Sequence, residues 1–285
     1  MAFPAIKKTV MVTGCSSGIG AATAHVLRKA GWTVTPTARK AVDLERLRAE
    51  GFDPVELDVA DSASVQAAAA TVLERGPLGA VVNNAGFGQP GALEDLSREA
   101  LRYQFEVNVF GLQELTNALI PHFRERGAGR IVHVSSVLGR VSTPFVGAYC
   151  ASKFAVEALA DAQRVELANT GIAVSLIEPG PIESKFRLTA VEHSEQVNFD
   201  ESRFGESMRR EAERRRKKNG RSGNRFTLPP EAVAEKILHA VESRRPKRRY
   251  CVTVPAYLGA WLRRLAPYSL TDRILAKQVM KKAGD

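Results

Sequence analysis

Between about residue 7 and residue 178 the chain repeats one pattern, a short run that is apolar on both faces followed by a longer amphipathic stretch. The apolar runs fall at 9–13, 32–37, 53–57, 80–83, 130–134 and 173–177 and are rich in β-branched residues. A strand without a polar face must be covered on both sides, which is the condition of a parallel sheet sandwiched between helices. Apolar residues at helical spacing fill 18–30, 61–74, 98–125 and 149–169, and a last strand is expected at 250–254. Strand–helix–strand repeats with right-handed crossovers build an α/β fold, a doubly wound parallel sheet of about seven strands with helices on both faces.

The 285 residues suit a single domain of this kind, 1–285. Hydrophobic residues make up 44% and charged residues 25%, as in ordinary water-soluble domains. No apolar run reaches the roughly 18 residues of a membrane-spanning helix, and the apolar stretch in 1–8 is too short for a signal peptide. Cys15, Cys150 and Cys251 are odd in number and match no metal spacing, so free thiols in a reducing cytoplasm are expected. The five histidines are scattered and read as structural or surface residues.

Val10–Val12 run into Thr13-Gly14-Cys15-Ser16-Ser17-Gly18-Ile19-Gly20, a strand, a glycine-rich turn and a helix start in the order a pyrophosphate site needs. Gly14 permits the tight turn, Gly18 lets the backbone approach the phosphates, and the helix N-terminus offers free N–H groups. This is a Rossmann-type arrangement. Gly14, Ser16, Ser17, Gly18 and Ile19 are therefore candidate cofactor contacts. The second strand ends in Thr37-Ala38-Arg39-Lys40 with no carboxylate to hold ribose hydroxyls. Arg39 reads either as a forked partner for an adenosine 2′-phosphate or as a solvated loop charge, and the former favours NADP(H) over NAD(H). Asp58 and Val59, after the third strand, would meet the adenine, although Asp58 also suits a turn; Asp61 is the better helix cap. Asn84, in Asn83-Asn84-Ala85-Gly86, lies where the chain passes the adenosine or simply satisfies backbone groups.

At the other end of the motif series, Tyr149 and Lys153 are four apart and share a helix face. Ser135-Ser136 ends the fifth strand, where an open α/β sheet keeps its reactive residues. Asn108 sits among Val107, Val109 and Phe110 and needs a buried partner. Pro179-Gly180-Pro181-Ile182 ends the sixth strand.

From about residue 7 to 184 these pieces resemble the short-chain dehydrogenase/reductase family: Thr-Gly-x-x-x-Gly-x-Gly at 13–20, Asn-Asn-Ala-Gly at 83–86, Asn108, Ser136, Tyr149-x-x-x-Lys153 and Pro179-Gly180. Ser136 and Tyr149 stand thirteen apart, as that family has them. The resemblance implies an oxidoreductase acting on CH–OH groups with a small carbonyl or alcohol substrate. Tyr149 would be the acid/base; a free phenol titrates near about 10, and Lys153 and the nicotinamide cation would lower it. Lys153 and Tyr149 would also touch the cofactor, Ser136 would orient the substrate oxygen, Asn108 would hold a water of a proton relay, and Ile182 and Ser184 would contact the carboxamide. The family more often has Thr at the position of Ser184. A homodimer or homotetramer through 98–125 and 149–169 is implied as well. A non-catalytic NADP(H)-sensing protein on the same fold is the rival reading, although such proteins commonly lose the tyrosine or lysine.

Beyond Pro179 the character changes. Residues 183–230 are polar and poorly periodic, expected as a substrate lid with an exposed helix at 209–218, a turn at 219–223, and Phe186, Leu188, Val191 and Phe199 lining a pocket. A helix follows at 231–243, and 255–285 is a basic C-terminal extension. Residues 34–39 and that basic tail resemble the hydroxysteroid and retinol dehydrogenase branch, which implies a lipophilic substrate. The net charge of +10 gathers at 209–225, 244–249 and the C-terminus. It reads as a solvated lid, as attraction of an anionic acyl conjugate, or as peripheral contact with anionic membrane through 257–265. No nucleic-acid recognition pattern accompanies it.

Overall fold

The computed structural model describes residues 2–194, 200–217, 225–258, 267, 269, 271–273 and 275–276. The elements run β1 (Thr9–Val12), α1 (Gly18–Lys29), β2 (Thr33–Ala38), α2 (Ala41–Ala49), β3 (Val55–Glu56), α3 (Ser62–Glu74), β4 (Ala80–Asn83), α4 (Arg98–Phe105), α5 (Gly111–Glu125), β5 (Gly129–Val134), α6 (Gly147–Glu166), β6 (Ile172–Glu178), α7 (Phe186–Ser194), α8 (Gly205–Lys217), α9 (Glu231–Glu242) and β7 (Arg249–Cys251). Among the described residues the sheet holds seven strands in the order β3-β2-β1-β4-β5-β6-β7, all parallel.

Alternation along the strands divides the core in two. On β1, Met11 packs with Val81, Ile131 and Leu176 under α3, α5 and α6. Its neighbours Val10 and Val12 pack with Val82 and Val132 under α1 and α9. Both faces of the sheet are thus buried, which is why the strands carry no polar face. Chain order reverses between β1 and β4, and the crevice above their C-terminal ends is where open α/β sheets bind ligands.

Three local differences from the sequence pattern bear on the site. The expected single helix over 98–125 is α4 and α5 joined by a wide π turn at Glu106–Phe110, with Asn108 fully buried inside it. Such bulges let one side chain turn inward without breaking the helix. α2 and α7 are absent from the periodic pattern because each carries only a short apolar face; in α2 the buried residues are Leu44 and Leu47. β3 is only two residues long, and β7 spans Arg249–Cys251 rather than 250–254. The exposed helix expected at 209–218 is α8. Phe199, the turn at 219–223 and most of the tail at 258–282 lie outside the described residues. Among the described residues no helix is long and apolar enough to cross a membrane.

Candidate active site

The glycine turn leaves β1 directly into α1. Gly14 has φ +72° and Gly18 has φ +59°, left-handed conformations that side chains resist. A Cβ on Gly14 would stand 2.8 Å from the Ala85 Cα, so the turn also lies flat against the end of β4. Asn84 staples that contact: its amide donates to the Thr13 carbonyl at 2.8 Å and the Gly14 carbonyl at 3.2 Å. Thr13 Oγ1 in turn accepts from the N–H groups of Asn84 and Ala85 at 2.9 Å each. Ser17 caps α1 without a side-chain bond, and the first turn holds no acidic residue. The helix therefore presents open N–H groups and the positive end of its dipole, which fits an anionic diphosphate. Ser16 is exposed beside it, Ile19 leans on the core, and Ser184 Cβ lies 3.0 Å from where a Gly18 Cβ would be.

At the end of β2, Arg39 is held rather than loose. Its guanidinium donates to the Tyr103 hydroxyl at 3.1 Å and faces the Asp58 carboxylate at 3.5 Å. Asp58 Oδ1 accepts from the Ala60 N–H at 3.0 Å, and Val59 is buried beside it. Asp61 caps α3 through the Ala63 N–H. Arg46 of α2 reaches back to the Cys15 and Ser16 carbonyls at 3.0 and 3.1 Å while pairing with Glu50 at 2.5 Å. A second guanidinium thus stands at the glycine turn.

The reacting residues converge above β4, β5 and β6. Ser136 follows β5; its hydroxyl accepts from the Leu138 N–H at 3.0 Å and stands near the Tyr149 phenol, whose ionisation it eases. Tyr149 and Lys153 occupy successive turns of α6, with Lys153 Nζ 5.8 Å from the tyrosine ring centre and donating to the Val134 carbonyl at 2.8 Å. Burial pushes the phenol up to about 12, outweighing the effect of Ser136, and pulls the Lys153 ammonium down to about 8. Asn108 locks the loop beneath: its Oδ1 accepts from the Phe87 N–H at 3.0 Å, and its amide donates to the Phe87 carbonyl at 2.9 Å and Ser152 Oγ at 3.0 Å. A Cβ on Gly86 would press on Asn108 Oδ1 at 3.0 Å and lie 3.8 Å from Lys153 Nζ, so the crevice floor between them is tight.

The segment expected as a lid packs against this crevice in its described part. Ile182 is buried and bridged to Leu228, fixing where the segment leaves β6. At one end of α7, Phe186 stacks on Tyr149 at 5.5 Å; at the other, His193 lies on Phe87 at 4.2 Å and near Tyr103 at 6.0 Å. In the described part of the basic run, Arg209, Arg210, Arg214 and Arg215 are each answered by an acid: Asp200, Glu206, and Glu211 for the last two.

The structure thus gathers Asn108, Ser136, Tyr149 and Lys153 at one end of the crevice and Ser16, Arg39 and Asp58 at the other, with Gly14, Ser17, Gly18, Ile19, Asn84 and Ser184 between. Phe186, expected to line the pocket, lies on Tyr149, while Arg46 and Tyr103 belong to the site without having been expected there. Their side chains arrive from elements far away in sequence, and no local spacing marks them.

A family model described as short chain dehydrogenase matches residues 8–195. The "Uncharacterized oxidoreductase YbbO" of Escherichia coli K12 is 43% identical over 272 residues, spanning 95% of this chain and 94% of that protein. A short-chain dehydrogenase structure from Streptomyces avermitilis superposes with a TM-score of 0.72 at 30% identity, covering 98% of both chains. A Burkholderia phymatum short chain dehydrogenase/reductase, solved in complex with NAD, superposes at 0.75 with 28% identity over 95% of each chain.

Proposed function

The chain belongs to the short-chain dehydrogenase family of oxidoreductases, and from that premise we propose that it interconverts a carbonyl and an alcohol on a lipophilic substrate, using NADP(H) in preference to NAD(H). The observation that carries this reading is the convergence of Ser136, Tyr149 and Lys153, the last two one helical turn apart, at the mouth of the crevice.

The nicotinamide, when bound, supplies hydride to the carbonyl carbon or takes it from the alcohol. The chain's own residues manage the oxygen and its proton. Tyr149 Oη gives its proton to the carbonyl oxygen as negative charge develops there. A phenol held near about 12 keeps its proton at neutral pH, the state that reduction consumes. Alcohol oxidation needs the phenolate, and its rate rises with pH. Ser136 Oγ donates to the same substrate oxygen and fixes its direction. Lys153 would hold the nicotinamide ribose hydroxyls, and Ile182 and Ser184 would border the carboxamide. Both amide N–H groups of Asn108 are engaged with Phe87 and Ser152, so a relay water beside it would be held by an oxygen, Oδ1 or the main-chain carbonyl.

At the far end, Ser16, Ser17, Gly18 and Ile19 would cradle the diphosphate. Asp58, Val59 and Asn84 would flank the adenosine, Asn84 by holding the turn. Arg39, kept in place by Tyr103 and Asp58, supports a 2′-phosphate. The apolar lid residues Phe186, Val191 and Met208 support a lipophilic substrate.

Oxidation of NADPH and of NADH over a panel of aldehydes and ketones tests the reading. With Tyr149→Phe, kcat is expected to fall roughly a thousandfold. With Arg39→Gln, the Kd for NADPH is expected to rise roughly tenfold while that for NADH holds. Turnover indifferent to Tyr149→Phe would overturn the acid/base assignment.

A further inference from the structure

Behind α7 the lid leaves a cavity of about 170 Å³. Pro90, Phe145 and Val146 line it from the body of the fold, and Ala190, Val191 and Met208 from the lid. Glu211 and Arg215 form part of its rim, paired with each other at 2.9 Å, and Glu211 also answers Arg214.

The hollow is half open to solvent and lined by apolar and polar groups in similar measure, with room for a guest about as large as benzene. The hollow is also held in shape by strain. Phe145 has φ +66°, a left-handed conformation that a bulky residue adopts only when its surroundings impose it. Its carbonyl accepts from the Gly91 N–H at 3.0 Å, and its ring stands edge-on to Phe204 at 5.0 Å. Residues held this way cluster at ligand clamps.

The hollow adjoins the reacting residues on two sides. α7 sets Phe186 on the Tyr149 ring and, one turn later, roughly 6 Å along its axis, turns Ala190 and Val191 to the hollow. Val146, on the opposite wall, immediately precedes α6 and lies three residues before Tyr149. Among the described lining residues the full charges are Glu211 and Arg215, which pair with each other, so a charged guest would have to displace that pair or lie against Pro90, Val146 and Met208, at a cost.

We propose that this hollow seats the tail of the substrate beyond the carbonyl that meets Tyr149, that the tail is uncharged and about as bulky as one aromatic ring or a short alkyl chain, and that Met208 and Val191 set its length. The proposal rests on the carbonyl–alcohol reading above and specifies its substrate.

Two experiments test it separately from that reading. In the first, kcat/KM with NADPH is measured from benzaldehyde through 4-butylbenzaldehyde, with 4-carboxybenzaldehyde as the charged counterpart. The wild-type value is expected to climb roughly threefold to fourfold per added methylene and to drop for the carboxylate. Met208→Trp, which fills the hollow, collapses the ratio of butyl to parent substrate; Met208→Ala extends the climb to longer tails. The same ratio in all three proteins, or a carboxylate accepted as well as the methyl compound, overturns the proposal even if every aldehyde is reduced. In the second, butylbenzene alone is expected to raise the unfolding midpoint of the wild type and of Met208→Ala but not of Met208→Trp, because only an occupied native site shifts the equilibrium. No shift in the wild type overturns the proposal. This readout needs no turnover, so a chain that reduced none of the aldehydes would sink the catalytic reading while the seat was still judged. Val191→Phe serves as the second filling variant should Met208→Trp not fold.

Discussion

The floor and the lid of the candidate site meet at the end of β6, and they are held by different forces. Under the floor, Arg249 of β7 pairs with Glu157 and, at 2.5 Å, with Asp161 of α6, and with Glu178 of β6 at 3.0 Å. Arg140, just past the Ser136 turn, reaches the same Glu178 oxygen at 2.9 Å. Glu178 and Glu157 are buried, so the helix of Tyr149, the turn of Ser136 and the last strand share one desolvated knot of charge. Beside it, Asn83, His133 and Gln163 form a buried chain from β4 through β5 to α6. The lid rests instead on a small apolar cluster, Phe204, Met208 and Ala92 with Phe145, and on surface ion pairs such as Arg203 with Glu94. Exposed pairs contribute about 0–1 kcal/mol each, whereas breaking a buried pair on one side costs far more. The difference teaches that the geometry of Tyr149 and Ser136 is tied to the buried charge beneath them, while the described part of 183–230 is held by local contacts and is expected to be the less stable unit.

The sharpest way to break this contrast is at Arg249. Arg249→Met strands Glu157 and is expected to cost about 3 kcal/mol in denaturant unfolding and to lower kcat with it. Adding Glu157→Gln should return much of the loss, since the stranded carboxylate is then gone. A knot that tolerates Arg249→Met within about 0.5 kcal/mol would show that it holds nothing up.

The next effect is pH dependence. Burial, and then the nearby Lys153 charge, hold His133 down at about 4 despite its bond to Gln163. The fold therefore keeps this imidazole neutral, while the unfolded chain protonates it near about 6.5. Between those values the unfolded state binds the extra proton. Stability is full above the upper value and is lost as pH falls toward the lower one, at up to about 1.4 kcal/mol per pH unit. Urea titrations between these limits should show that slope, and His133→Asn should flatten it.

Phe204→Ala sharpens the comparison from the other side. It should speed amide exchange across α7 and α8 by roughly tenfold or more while leaving the global midpoint nearly unchanged. A matching fall in the global midpoint would mean that lid and floor unfold together. Smallest of all, Glu206→Gln removes an exposed partner of Arg210 and is expected to change stability by under about 0.5 kcal/mol.

Much of this molecule was settled by local pattern. Doubly apolar runs fixed the strands within a residue or two for β1, β4 and β6, because burial on both faces leaves one composition to choose from. The glycine turn, Asp61 as a cap, and Tyr149 and Lys153 on one helical face follow from φ, from capping chemistry and from the 3.6-residue period, all of which act over a few residues. Other features depended on segments distant in sequence packing together. The strand order, which opens the crevice between β1 and β4, is one. The inward turn of Asn108 at the π bulge depends on Phe87, and the grip of Arg46 on the glycine turn depends on where α2 docks. Phe186 reaches Tyr149 only once the chain beyond β6 folds back over α6, and Arg249 reaches Glu157 only once β6 and β7 lie side by side. Sequence determines what each short stretch can be, because backbone sterics and burial are local; which side chains share a buried space is decided by packing, since close contact is made between surfaces and not between neighbours in the chain.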